Sequence, residues 1–341
     1  MKGLKGKRIV IAGATAGIGA ATAERLSEEG ASVVIGGRNL DAGQVLAKRL
    51  NEAGGKAIAV KFDLADEDSI KALIDTAATE LGGIDGLFNV GAELSAQHLA
   101  RDKNLLDMDV TVWRRTFEVN LFGYAIAIRE VIPHLLAQGG GAILNTSAGA
   151  AWIGETERPA YGASKAAINS LARHVASAWG KQGIRANTLG VGVTMTEIAQ
   201  EQIGEEWQAR ILATMRSPRL GKPADVAAAA AFLLSDDAEW VNGGRGEGAS
   251  PRWIRRALEA GLRRLGTDHI DLYQLHRHDW DTGLDETLGA LTDLQRVGLI
   301  RAFGHSTFPA EKIVEAMGVP PVRAKPRTGG GWPSGAATPV S

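Results

Sequence analysis

Residues 8–30 read RIVIAGATAGIGAATAERLSEEG. A β-branched apolar run breaks at a glycine-spaced loop, then resumes with apolar residues three to four apart, the change from a strand period to a helix period. Glycines at 13, 17 and 19 let the chain turn sharply and let backbone N–H groups approach a pyrophosphate at a helix N-terminus. Glycines at this spacing also serve ordinary turns. Their place directly after the first strand is what gives them weight.

The same alternation continues outward. ASVVIGG (31–37), KAIAVKFD (56–63), DGLFNV (85–90) and GAILNTS (141–147) read as further strands, separated by helical patterns such as DSIKALIDTAATELG (68–82). Strands that are unbroken apolar runs are covered on both faces, so the fold class is α/β, a Rossmann-type doubly wound parallel sheet. Ligands of such sheets bind beyond the carboxyl ends of the strands, where the strand order reverses.

Composition narrows the function. The 341 residues carry 38 basic and 39 acidic side chains, a net charge of −1, which offers no electrostatic footprint for nucleic acid or an anionic membrane. There is no cysteine, which excludes disulfides, thiol catalysis and cysteine–zinc sites. No secretory h-region precedes IVIAGA, and even VAAAAAFLL (226–234) is bounded by Asp225 and Ser235, so no membrane span and a soluble, cytoplasmic protein are expected.

YGASK (161–165) opens a second helical pattern and sets Tyr161 and Lys165 four residues apart, on one helix face. A phenol is a poor acid–base at neutrality; a nearby ammonium or an oxidised nicotinamide would lower its pKa. An amphipathic helix with a buried tyrosine and a solvated lysine is the plain alternative. The order of the motifs argues against it: glycine loop, FNVGA, Val119-Asn120, NTSAG, YGASK and NTLGVG. Together they resemble the short-chain dehydrogenase/reductase family over about residues 5–243. The resemblance implies that Asn120 holds a proton-relay water, Tyr161 exchanges the proton with the substrate oxygen, and Lys165 binds the nicotinamide ribose. It further implies cofactor contacts at Gly13, Gly17, Ile18 and Gly19, at Asp63 (adenine), Asn89 (the strand-four motif) and Thr196 (the carboxamide), besides Tyr161 and Lys165.

Departures from the family pattern matter. Ala12 stands where threonine is usual, Asn89-Val90-Gly91-Ala92 replaces Asn-Asn-Ala-Gly, and Val191 replaces a proline. The family's catalytic serine lies thirteen residues before the tyrosine, which here is Ala148; Ser147 is adjacent. Neighbouring strand residues point to opposite sides, so Ser147 serves catalysis only with a local twist, and otherwise bonds backbone. At the end of the second strand, Gly37 replaces the acidic residue of NAD-dependent relatives and Arg38 follows. A missing carboxylate and an available guanidinium favour the 2′-phosphate of NADP over NAD, although Arg38 also reads as a solvated loop residue.

The C-terminal third changes character. GGRGEG (243–248) reads as a junction. From about 250 to 316 the chain resembles part of an aldo-keto reductase: SPRWIRRALEAGLRRLGTDHIDLYQLHRHD, then ETLGALTDLQRVGLIRAFGHSTFPAEKIVEA. That pattern is helix, strand, helix, strand, about a quarter of a β/α barrel. His276 matches that family's catalytic histidine, but its tyrosine, lysine and aspartate partners have no counterpart, and Tyr273 lies mid-strand. His276, His278, Asp279 and Asp281 read as barrel-loop composition rather than a metal site. Residues 319–341 hold five of the eleven prolines and no acidic side chain, a composition for a disordered tail. The expected organisation is a nucleotide-binding domain over 1–243 lacking or replacing the family's final strand, an incomplete barrel fragment over 249–318, and the tail: a fusion or reading-frame accident.

The expected function is hydride transfer between NADP(H) and a small carbonyl or secondary alcohol, with no metal, no nucleic acid or membrane partner, and a dimer or tetramer possible by family resemblance. The alternative is a cofactor-binding pseudoenzyme or a non-functional fusion product. Segments 93–110 and 197–217 are expected to line the substrate pocket.

Overall fold

The computed structural model describes residues 1–243 except 154 and 216, and residues 254–255, 258–259, 262, 267–277 and 284–307. The chain divides into two compact units, Met1–Gly244 and Arg245–Ser341.

The first unit is a parallel sheet of six strands: β1 (Arg8–Ala12), β2 (Ser32–Gly37), β3 (Lys56–Lys61), β4 (Gly86–Asn89), β5 (Gly141–Ala148) and β6 (Ile184–Val191). Their spatial order is β3-β2-β1-β4-β5-β6. The switch point therefore lies between β1 and β4, whose registers pair Ala12 with Asn89. Both faces are covered, as the unbroken apolar strands require. Along β1, Val10 joins one core cluster, while Ile9 and Ile11 join the other.

Besides a single helical turn at Ala96–Leu99, the helices of this unit are α1 (Gly17–Glu28), α2 (Leu40–Glu52), α3 (Glu67–Leu81), α4 (Val110–Phe117), α5 (Gly123–Ala137), α6 (Pro159–Trp179), α7 (Glu197–Gln202), α8 (Glu205–Thr214) and α9 (Pro223–Leu234). Local chemistry sets their ends. The Asp66 carboxylate accepts from the N–H groups of Asp68 and Ser69 to start α3, and left-handed Gly82 stops it. Between α4 and α5 the helix widens into one π-turn, Glu118–Phe122, which carries Asn120; such turns concentrate at functional sites.

Two features go beyond the expectations. Val110–Ala137 forms a run long and apolar enough to cross a bilayer by length and composition. Its apolar face, including Val119, Tyr124 and Val131, is buried in the sheet's core, which makes it a core helix. IRANTLGV (184–191) was not expected as a strand, yet it is β6. It is the edge strand of the sheet among the described residues, and residues 241–243 run beside it. The N–H of Ala186 donates to Asn242 Oδ1 (2.9 Å), Asn187 Nδ2 donates to the Val241 carbonyl (2.7 Å) and Gly243 N donates to the Ala186 carbonyl (2.9 Å).

In the second unit β7 (Ile270–Arg277), α10 (Leu284–Arg296) and β8 (Ile300–Thr307) form a two-stranded parallel βαβ unit. Its own core gathers Ile254, Leu258, Leu288, Leu291 and Ile300. Only scattered residues of the expected first barrel helix are described, and the side chain of His276, with His278, Asp279, Asp281 and the tail over 319–341, lies outside the described residues.

Candidate active site

The glycine loop at the end of β1 is shaped for close approach. Gly13 has φ 110°, and a Cβ there would lie 2.4 Å from the Gly91 nitrogen; at Gly19 it would lie 2.1 Å from the Gly13 carbonyl oxygen. Only glycine fits either place. Ala16, at the cap position of α1, makes no side-chain bond to the helix, so the first-turn N–H groups of Gly17, Ile18 and Gly19 face outward without a side-chain cap. A pyrophosphate suits such a cradle. Thr196 closes over it: its Cγ2 lies 3.0 Å from where a Gly17 Cβ would be, while its hydroxyl caps α7 by accepting from Ala199 N at 3.2 Å.

At the end of β2, a Cβ on Gly37 would lie 2.3 Å from Thr15 Cγ2 and 2.8 Å from Thr15 Oγ1. Thr15 thus fills the space in which an acidic side chain at 37 would begin. Arg38 is exposed, with no ion pair among the described residues. Asp63, after β3, accepts from Ala65 N at 3.0 Å. Asn89, fully buried at the end of β4, donates to Asn145 Oδ1 at 2.9 Å, and ties β4 to β5 beyond their backbone ladder.

The second cluster lies beyond β4 and β5. Lys165 is only 1% exposed, and Nζ donates to the Thr146 carbonyl at 2.9 Å. That ammonium lies 5.8 Å from the Tyr161 ring centre and 5.3 Å from that of Tyr124. Burial lowers its pKa to about 7. Tyr161 is partly exposed, yet enough protein surrounds the phenol that burial pushes its pKa up to about 12. Burial outweighs the opposing pull of the Arg158 guanidinium, and the Glu155 carboxylate adds to the rise. Asn120, fully buried, accepts from Glu93 N (2.8 Å) and donates to Ser164 Oγ (3.3 Å), which donates to the Tyr161 carbonyl (2.8 Å).

Ser147 stands apart from this group. It is 1% exposed, and its hydroxyl donates to the Lys165 backbone carbonyl at 3.3 Å. It faces the body of α6, and Ala148 is the residue on the other side of the strand.

Two further residues matter here that sequence reading missed. Tyr124, fully buried, donates to the Gly91 carbonyl at 2.8 Å and lays its ring near Lys165 Nζ. A tyrosine in the aliphatic run GYAIAI, one turn after Asn120, was its only signal. Asp102, also buried, bonds the first turn of α6 and had no signal at all. Leu94, Trp152, Ile153, Ile198 and Trp207, on the segments that follow β4, β5 and β6, expose large apolar surfaces. A cleft of about 790 Å³ opens at the opposite, N-terminal ends of the strands, among Lys7, Asp85, Gly141 and Arg185, remote from all these groups.

Comparison with known proteins agrees with this geometry. The enoyl-(acyl carrier protein) reductase family model matches residues 13–245, and the aldo/keto reductase family model matches residues 227–327. A probable short-chain type dehydrogenase/reductase of Bradyrhizobium diazoefficiens is 40% identical over 240 residues, covering 70% of this chain and 84% of its own. The structure of 7α-hydroxysteroid dehydrogenase with NADH and 7-oxo glycochenodeoxycholic acid superposes with a TM-score of 0.66 at 34% identity, over 70% of this chain and 91% of that one. Gluconate 5-dehydrogenase from Burkholderia cenocepacia, with NADP and tartrate, gives 0.64 at 29% identity, over 70% and 92%. With a glycine cradle at the switch point, a Tyr161–Lys165 helix beside it and relatives matched over nearly their whole length, the chain belongs to the short-chain dehydrogenase/reductase family and carries a partial aldo-keto reductase segment behind it.

Proposed function

We propose that residues 1–243 form a nicotinamide-dependent oxidoreductase that interconverts a secondary alcohol and a ketone, with Tyr161 as the general acid–base. The observation that carries this reading is the meeting of Tyr161, Lys165 and Asn120 beside a cradle that only glycine can form. When bound, the nicotinamide supplies or takes up the hydride. The chain's own residues handle the rest. Tyr161 Oη gives its proton to the carbonyl oxygen as the alcohol forms, or takes it from the hydroxyl in the reverse direction. Lys165 holds the ribose and sets the charge beside the phenol, and Asn120 steadies the water that refills the proton. Asn89 braces the strand ends; Asp63 and Thr196 contact the two ends of the cofactor.

NADP(H) is the preferred form in this reading. Thr15 fills the place of an acidic side chain at 37, and Arg38 is free to meet a 2′-phosphate. The exposed apolar groups Leu94, Trp152, Ile153, Ile198 and Trp207 favour a substrate with a bulky apolar body, as in the steroid-binding relative. The protein works in the cytoplasm as a homo-oligomer, and the fragment over 249–318 contributes no catalytic group.

A second reading, a slow or inactive cofactor-binding protein, is favoured by one observation: Ala148 has no hydroxyl, and that of Ser147 is spent on the Lys165 carbonyl. One experiment separates the two. Turnover of cyclic ketones is followed together with thermal shift by NADPH and by NADH. The enzyme reading expects turnover that Tyr161→Phe abolishes while the cofactor shift persists, and a larger shift with NADPH. Cofactor binding with no turnover of any ketone selects the second reading; a larger shift with NADH removes the role given to Arg38.

A further inference from the structure

Helix α6 carries Tyr161 and Lys165 but does not cap itself. Arg158, at its cap position, makes no side-chain bond to the helix. It sits at φ 62°, the only non-glycine residue at positive φ among the described residues. Pro159 has no N–H, so the first donors that need partners are those of Ala160 and Tyr161. Both go to one carboxylate from a distant segment: Ala160 N donates to Asp102 Oδ1 at 3.2 Å and Tyr161 N to Asp102 Oδ2 at 2.9 Å. The Arg158 N–H donates to the Asp102 backbone carbonyl at 2.8 Å, which holds the strained residue in place. Asp102 is 3% exposed and pairs with no Lys or Arg among the described residues. The two N–H groups and the positive end of the helix compensate its charge.

The segment that supplies Asp102 also grips the other side of the site. The Glu93 N–H donates to Asn120 Oδ1 at 2.8 Å, His98 Nε2 meets Thr116 Oγ1 at 2.8 Å, and Arg115 Nε lies 3.7 Å from the Glu93 carboxylate. Residues 93–102 therefore bridge the π-turn bearing Asn120 and the first turn bearing Tyr161. Leu94 on the same segment is exposed, as a wall for substrate would be.

We propose that Asp102 is a positioning residue: it sets the first turn of α6, and so Tyr161, and makes that setting depend on segment 93–102 being folded against the site. A substrate that orders the segment thereby aligns the tyrosine. This rests on the reading of Tyr161 as the acid–base. A phenol displaced by about 1 Å loses on the order of 10² fold in rate.

The test uses the full chain with Asp102→Ala and Asp102→Asn. Asparagine keeps one acceptor and loses the charge, and covers the case in which the alanine variant does not fold. Hydrogen exchange should accelerate together in 93–102 and in 159–165, while α1 keeps its protection. In steady state kcat should fall about 10–100 fold, with the cofactor thermal shift unchanged and partial recovery in Asp102→Asn over Asp102→Ala. Faster exchange in 93–102 with 159–165 unaffected overturns the proposal, as does a fall in kcat matched by equal loss of cofactor affinity and melting temperature. Exchange reads the tie without turnover. A wild-type protein that turns over nothing, yet loses protection in both segments on mutation, sinks the functional reading and leaves the tie standing.

Discussion

Lys165 shows what a single residue costs this site. Its ammonium is buried with one carbonyl and two ring faces for company, and burial takes its pKa from 10.5 to about 7. Below pH 7 both folded and unfolded chains hold the proton, so the burial penalty is fully present. Between about 7 and 10.5 the unfolded chain binds more protons, so this group makes stability rise with pH; above 10.5 its effect is gone. Lys165→Met should therefore stabilise the cofactor-free protein near pH 6 by on the order of 1–3 kcal/mol, with the gain shrinking as pH approaches 10. Urea unfolding at several pH values checks this, and a gain that grows with pH would refute it. Tyr161 and Lys165 were legible because four-residue spacing is a local property of a helix. Asp102 was not, since its partners at 160 and 161 lie nearly sixty residues away and nothing in ARDKN marks it.

At the scale of elements, the end of β5 decides which hydroxyl can act. The alternation of a strand puts Ser147 against α6, where it donates to the Lys165 carbonyl, and turns residue 148 the other way. Ala148→Ser should raise kcat, by up to the 10²–10³ fold that one transition-state donor commonly contributes, with cofactor affinity little changed. Ser147→Ala should lower stability by about 1 kcal/mol through its lost hydrogen bond, without a matching loss of kcat. A collapse of turnover in Ser147→Ala, with no gain in Ala148→Ser, would make Ser147 the working hydroxyl after all. Strands β1, β2, β4 and β5 were legible because each is an apolar run buried on both faces, and β3 because its half-buried apolar residues still follow one another without a break. β6 was not: Arg185, Asn187 and Thr188 interrupt it. As the edge strand among the described residues it spends polar groups on its edge, where Asn187 and Asn242 make backbone bonds with residues 184–186 and 241–243.

For the whole molecule, the two units carry separate cores, and all the candidate cofactor contacts belong to Met1–Gly244. Calorimetry should resolve two unfolding transitions, and saturating NADPH should raise only one of them, by RT ln(1 + [L]/Kd), about 2.7 kcal/mol at a hundredfold excess over Kd. A single transition that moves as a whole would show that the units unfold together. The sequence by itself determined the sheet class, the cradle and the Tyr161–Lys165 helix, because turn chemistry and periodicity are written in neighbouring residues. It also marked the change to aldo-keto reductase pattern near 250. Only the tertiary structure decided that Thr15 fills the space beside Gly37, that Ser147 faces α6, that Tyr124 lies against Lys165, and that Asp102 caps α6 from afar. These are contacts between residues far apart in the chain, and they are fixed by packing, which no local pattern records.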